Sequence, residues 1–122
     1  MSQFHRFFQK DPNALPPAEV RLTDVQVEPW PDGRRVRVLL QLTPFQQNPN
    51  IETWIAYPGG VEVARSRIIE NAEIRLVFTL HIRASYVSGP YDLHVQLSYP
   101  DLGVVDERIL PFETHESDLP ES

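Results

Sequence analysis

Four histidines, ten arginines, two tryptophans and a cluster of three phenylalanines are the side chains of this 122-residue chain that could bind or react. Histidine could ligate a metal or act as a general base. His81 and His94, however, fall on strands assigned to different sheets, and His5 and His115 lie near the chain ends, so three ligands are not expected to converge. There is no HExxH helix, no glycine-rich phosphate loop, no GxSxG elbow and no close carboxylate pair at a pocket. With no cysteine in the chain, thiolate ligands and thiol nucleophiles are excluded as well. The expectation is a chain that is not an enzyme and needs neither metal nor cofactor.

Binding chemistry remains. Phe4, Phe7 and Phe8 have i, i+3, i+4 spacing, which on a short helix makes one apolar stripe that a partner's groove could accept. Pro12, Pro16 and Pro17 would then act as a stiff spacer, the alternative being an arm folded back on its own domain or a disordered leader. Arg35, Arg37, Arg75 and Arg83, with Arg21, alternate with Val77 and Leu39 at outward strand positions. Such a surface can dock protein, because arginine is enriched at interfaces and exposed apolar residues mark them; the plainer reading is that these arginines keep a sheet soluble. Trp30, Trp54 and Tyr57 raise carbohydrate binding through stacking on exposed rings. Trp54 and Tyr57 have opposite parity, so at most one can face outward, and Trp30 sits in a loop between Pro29 and Pro31. Core or edge packing is the reading favoured for Trp54.

The elements that must position these residues are strands. Prolines at 29, 31, 44, 49, 58, 90, 100 and 111 cut the body into pieces too short for amphipathic helices. Between them apolar residues alternate with polar ones, the signature of a strand with one face on a core. Ile74, Leu76, Phe78, Leu80 and Ile82 oppose Arg75, Thr79, His81 and Arg83. Tyr91, Leu93, Val95, Leu97 and Tyr99 oppose Asp92, His94, Gln96 and Ser98, and Val36, Val38, Leu40 and Leu42 oppose Arg35, Arg37 and Gln41. Val20 and Leu22 change parity relative to Val25 and Val27, which predicts a bulge or kink near Thr23 and Asp24. Asn50 to Tyr57 and Val61 to Ile69 form a hairpin across Pro58-Gly59-Gly60. A last strand over 103–112 follows the Pro100-Asp101-Leu102-Gly103 turn, with its register open because Val104 and Val105 are both apolar. Seven strands with turn signals at this spacing predict an all-β, antiparallel two-sheet sandwich, in which the strands near 20–28, 34–43 and 73–83 share one sheet.

Within it, Ser88-Gly89-Pro90-Tyr91-Asp92-Leu93-His94-Val95 resembles the start of the sixth strand in the immunoglobulin-like superfamily, most closely its fibronectin type III-like relatives. The resemblance implies that the Tyr91 hydroxyl bonds back to the preceding crossover, and it covers about residues 19–112 at the level of fold. It implies an architecture and no activity.

Charge divides the chain further. Net charge is −6, which argues against a nucleic-acid partner, yet residues 113–122 hold four acidic side chains and no Lys or Arg. Three parts are expected: an aromatic, proline-rich arm over 1–18, a sandwich over 19–112 and a disordered acidic tail over 113–122. No window suits a membrane span or secretory signal, so a cytoplasmic location is expected. The function expected is a non-catalytic protein-interaction or assembly module, with a protein partner or self-association through an edge strand or the arm. Alternatives are a carbohydrate-binding module and a small regulatory subunit of an enzyme complex.

Overall fold

The computed structural model describes residues 11–83 and 89–114. Its strands are β1 (Leu22–Pro29), β2 (Arg35–Leu42), β3 (Asn50–Ala56), β4 (Glu62–Ile68), β5 (Arg75–His81), β6 (Gly89–Tyr99) and β7 (Gly103–Thr114). They form two antiparallel sheets in the orders β1-β2-β5 and β4-β3-β6-β7. This is the all-β sandwich expected, with the strand grouping expected, and it is consistent with an immunoglobulin-like fold.

Alternation decides what is buried. Val36, Val38, Leu40 and Leu42 from one sheet meet Ile51, Ile55, Leu93, Val95 and Leu97 from the other, all at most 3% exposed. Each such side chain contributes roughly 1.5–3 kcal/mol by leaving water. Tyr91 and Tyr99 close the two ends of the β6 row. Tyr91 stacks between Tyr57 and Phe112 at ring-centroid distances of 5.2 and 5.6 Å, and its burial, with Tyr57 beside it, pushes its hydroxyl up to about 12. Tyr99 donates to the Gln47 carbonyl at 2.8 Å, strapping β6 to the loop between β2 and β3. The crossover that Tyr91 was expected to bond includes residues 84–88, outside the described residues.

Three irregularities set register. Thr23 is extra between the Leu22–Leu42 and Asp24–Gln41 pairs, as the parity change required, so that Val25 and Val27 face Leu40 and Val38 on the core side. Another shift falls where β3 meets the Pro58-Gly59-Gly60 turn, in which Gly60 takes φ 103°, a conformation that side-chain-bearing residues rarely adopt. The third resolves the strand whose register was open: Val105 is extra in β7, because Leu97 pairs Asp106 while Ser98 pairs Val104. From Asp106 onward parity is therefore reversed, and Asp106, Arg108 and Leu110 take the core side.

The boundary expected at residue 18 falls inside a segment held on the sandwich. Leu15 donates to the Pro44 carbonyl at 3.1 Å and accepts from the Gln46 N–H at 2.9 Å, packs against the core, and leads into a 3-10 turn over Pro17–Glu19. The prolines pre-set an extended path that lets Leu15 reach the core rim. β7 likewise runs to Thr114, beyond the end expected at 112. Phe4, Phe7, Phe8 and the segment 115–122 lie outside the described residues.

Candidate interaction surfaces

The outer face of the three-stranded sheet is built of three cross-strand rows. Gln26, Leu39 and Val77 form the middle one, flanked by Asp24, Gln41 and Arg75 and by Glu28, Arg37 and Thr79. Val77 is 59% exposed. Arg37 and Arg75 border the Leu39–Val77 pair as the sequence suggested, but the face is less basic than its arginines imply. The Thr23 bulge turns Asp24 and Glu28 outward. Arg37 lies 3.5 Å from Glu28, Arg75 donates to Gln41 at 3.2 Å, and Arg21 donates to the Ala18 and Val20 carbonyls. Arg35 is drawn to the β1–β2 turn, where it pairs with Asp32 at 2.8 Å and lies 4.0 Å from the centre of the Trp30 ring. Hydrogen bonds from the Arg34 backbone and from Arg35 hold the Asp32 carboxyl below its ordinary range. Arg83 is exposed at the end of β5.

Two rows dominate the outer face of the four-stranded sheet: Arg65, Trp54, His94, Ile109 and, beside it, Arg67, Glu52, Gln96, Glu107. The sequence placed His94 and Gln96 on the polar side of their strand. Trp54, for which core or edge packing was favoured, is half-buried on this outer face while Thr53 takes the core side at 1% exposed. The Trp54 indole lies 4.7 Å from His94, with the rings within 4° of parallel, and 4.7 Å from the Arg65 guanidinium. Because β6 and β4 flank β3 on opposite sides, these two groups occupy opposite faces of the ring. Glu52 binds both Arg65 and Arg67, the latter at 3.0 Å, and Arg65 also grips Glu62 at 2.8 Å. Hydrogen bonds from Arg67 and Arg65 hold the Glu52 carboxyl low, and Arg65 does the same for Glu62; in return Arg65 keeps its proton more tightly than usual. Each pair is solvent-accessible, and screening by water keeps its contribution to stability small.

The three candidate sugar-stacking rings therefore do not form one platform. Trp54 has both faces covered, Tyr57 is packed on Tyr91, and Trp30 at the β1–β2 turn has one face under Arg35. His81 and His94 lie on different sheets.

The two sides on which the sheets end differ. On one side β1 meets β7, and the inward-turned Asp106 accepts the Leu22 N–H at 2.8 Å while Arg108 donates to the Leu22 carbonyl at 2.7 Å. Both backbone groups freed at the bulge are thus satisfied. On the other side β4 faces β5 across a groove lined by Glu62, Val63, Ser66, Thr79, Leu80 and His81. There a single recorded backbone bond crosses among the described residues, from the Arg83 N–H to the Val63 carbonyl at 2.8 Å.

No protein-family model matches this chain, and no curated protein does. Solved structures do. A glycosyl hydrolase family 2 member from Bacteroides cellulosilyticus matches 76% of this chain with a TM-score of 0.60 and 18% identity. A β-glucuronidase from Ruminococcus gnavus, solved with D-glucuronic acid, matches 79% with a TM-score of 0.53 and 16% identity. This chain spans only 14% and 16% of those proteins. At such identities the likeness is one of fold, a single sandwich within much larger chains.

Proposed function

We propose that this sandwich is a non-catalytic protein-interaction or assembly module. The observation that carries the reading is the Leu39–Val77 pair, an apolar spot on the outer sheet face bordered by Arg37 and Arg75, with a shallow depression of about 200 Å³ beside it between Gln26, Gln41 and Arg75. Exposed, arginine-bordered apolar surface suits protein, and the depression is smaller than the roughly 300–1,000 Å³ of small-molecule sites. A sugar platform would need open ring faces, and the rings described have theirs largely taken. Leu39 lies on the central strand, so Leu39→Asp alters the face without touching any sheet edge. Affinity capture from the source organism with the full chain is expected to recover a specific partner that Leu39→Asp loses and Trp54→Ala keeps. Equal capture by Leu39→Asp would end the reading.

One observation favours a second reading, an accessory domain or small subunit serving a carbohydrate-active enzyme: the solved structures of similar fold include a glycosyl hydrolase and a β-glucuronidase. Capture of a glycosidase through Leu39 would join the two readings. Direct binding of glycans, abolished by Trp30→Ala, would replace the first by the second.

A further inference from the structure

We propose that the edge of β5, unpaired along the strand among the described residues, takes up an extended strand from a partner protein whose residues alternate between acidic and apolar. The inference rests on the docking-module reading and assigns it a second surface, the edge rather than the face.

Backbone direction along β5 follows from two bonds at its ends. Leu42 donates to the Ile74 carbonyl at 2.9 Å, and Ile82 donates to the Arg34 carbonyl at 2.7 Å. Pairing between β2 and β5 runs without a register shift from Arg35–His81 to Gln41–Arg75, so the even-numbered residues of β5 point their backbone groups at β2. The odd-numbered ones, Arg75, Val77, Thr79 and His81, point theirs away. Arg83 confirms the sense, since its N–H leaves the sheet and reaches β4. β5 contains no proline and no bulge, the usual means of blunting an edge. The side chains on its odd positions form the outer face.

An added strand would meet two chemistries. Residues opposite the odd positions share the outer face with Arg75 and His81, while Arg83 stands beyond the strand at the groove; Arg75 has the neutral Gln41 as its hydrogen-bond partner. Carboxylates suit those positions, although the chain as a whole carries a net charge of −6. Residues of the other parity turn into the groove between β4 and β5, onto an apolar floor of Val63, Ala64 and Leu80 walled by Glu62, Arg65 and Ser66. Apolar side chains suit those. Main-chain bonds would supply affinity and the alternation would supply specificity.

The probe is a capped octapeptide of alternating Glu and Val, titrated into the full-length, isotopically labelled chain and followed by backbone amide shifts; alternating Lys and Val is the control. The Glu-Val peptide is expected to shift amides of Arg75 to Arg83 and of Val63 to Arg67, and the Lys-Val peptide to leave them unmoved. Val77→Pro removes an outward N–H while sparing the β2 ladder, and should weaken binding at least tenfold. Arg75→Glu combined with Arg83→Glu leaves the backbone intact and should invert the preference toward the Lys-Val peptide. Undiminished binding by Val77→Pro overturns the proposal, as does equal binding of both peptides. Dimerisation of the free chain that Val77→Pro abolishes also overturns it, by making a second copy the occupant. A chain that captures its partner through Leu39 yet ignores the Glu-Val peptide fails here and not in the face reading.

Discussion

The two sides on which this sandwich ends have the same problem, unpaired backbone at a sheet edge, and among the described residues only one of them solves it. Where β1 meets β7, a bulge in each strand breaks the regular ladder, Pro29 and Pro111 each lack a donor, and Asp106 and Arg108 turn inward to satisfy Leu22. Inward charges on an edge strand cost little when their heads reach backbone groups, and they make a foreign strand a poor fit. Where β4 meets β5 there are, among the described residues, one crossing backbone bond and a groove. Stability is concentrated on the first side and accessibility on the second. In a sandwich of two small sheets, one sealed side leaves the other free to be used.

The largest effect expected from breaking this contrast is in the core. Leu97 is 0% exposed and pairs with Asp106 behind the sealed side, so Leu97→Ala should cost about 3–5 kcal/mol in chemical denaturation. Leu80 lines the open groove, where water can fill the space left, and Leu80→Ala should cost less, about 2–3 kcal/mol. Equal losses would show that the groove is closed in solution. Next comes the clamp: Asp106→Ala strands the Leu22 N–H and should cost about 1–3 kcal/mol. A double-mutant cycle with Arg108→Ala should show coupling, since both hold one residue. On the open side, Val77→Pro should lower stability by under about 1 kcal/mol, whereas Phe78→Pro, which removes a ladder bond to β2, should cost about 3 kcal/mol or more.

Acid gives the smallest difference. Because the Glu52 carboxyl is held low in the folded chain, its contribution is present above the ordinary carboxylate range and is lost as pH falls through the depressed value. Solvent screens this cluster, so β4 should loosen by only a few tenths of a kcal/mol between pH 6 and pH 3. Hydrogen exchange of the β4 amides compared with those of β2 would measure it.

Much of the scaffold was legible because alternation and burial are the same physical fact seen twice. The runs of β2, β5 and β6 appear in the sequence as they appear in the core, and the Thr23 bulge was visible as a change of parity between Leu22 and Val25. What hid was whatever depended on pairing between strands. Asp106-Glu107-Arg108 reads as solvent-facing until the Val105 bulge reverses β7 and aims two of those charges at Leu22. Trp54 shares parity with Glu52, a signal that it faces outward, but its partners Arg65 and His94 emerge only once β3 is placed between β4 and β6. Arg37 and Arg75 were placed on the right face, while Asp24 and Glu28, which temper its charge, were overlooked although the same bulge turns them outward.

The clamp on Leu22 has a mechanical side. β1 and β7 begin at the same end of the sandwich and run the same way, so the chain leading into β1 and the chain leaving β7 emerge at opposite poles. Tension between them would slide β1 along β7, loading the Asp106 and Arg108 contacts together in shear instead of peeling them apart one after another. A sandwich tied in this way meets such tension with both contacts at once.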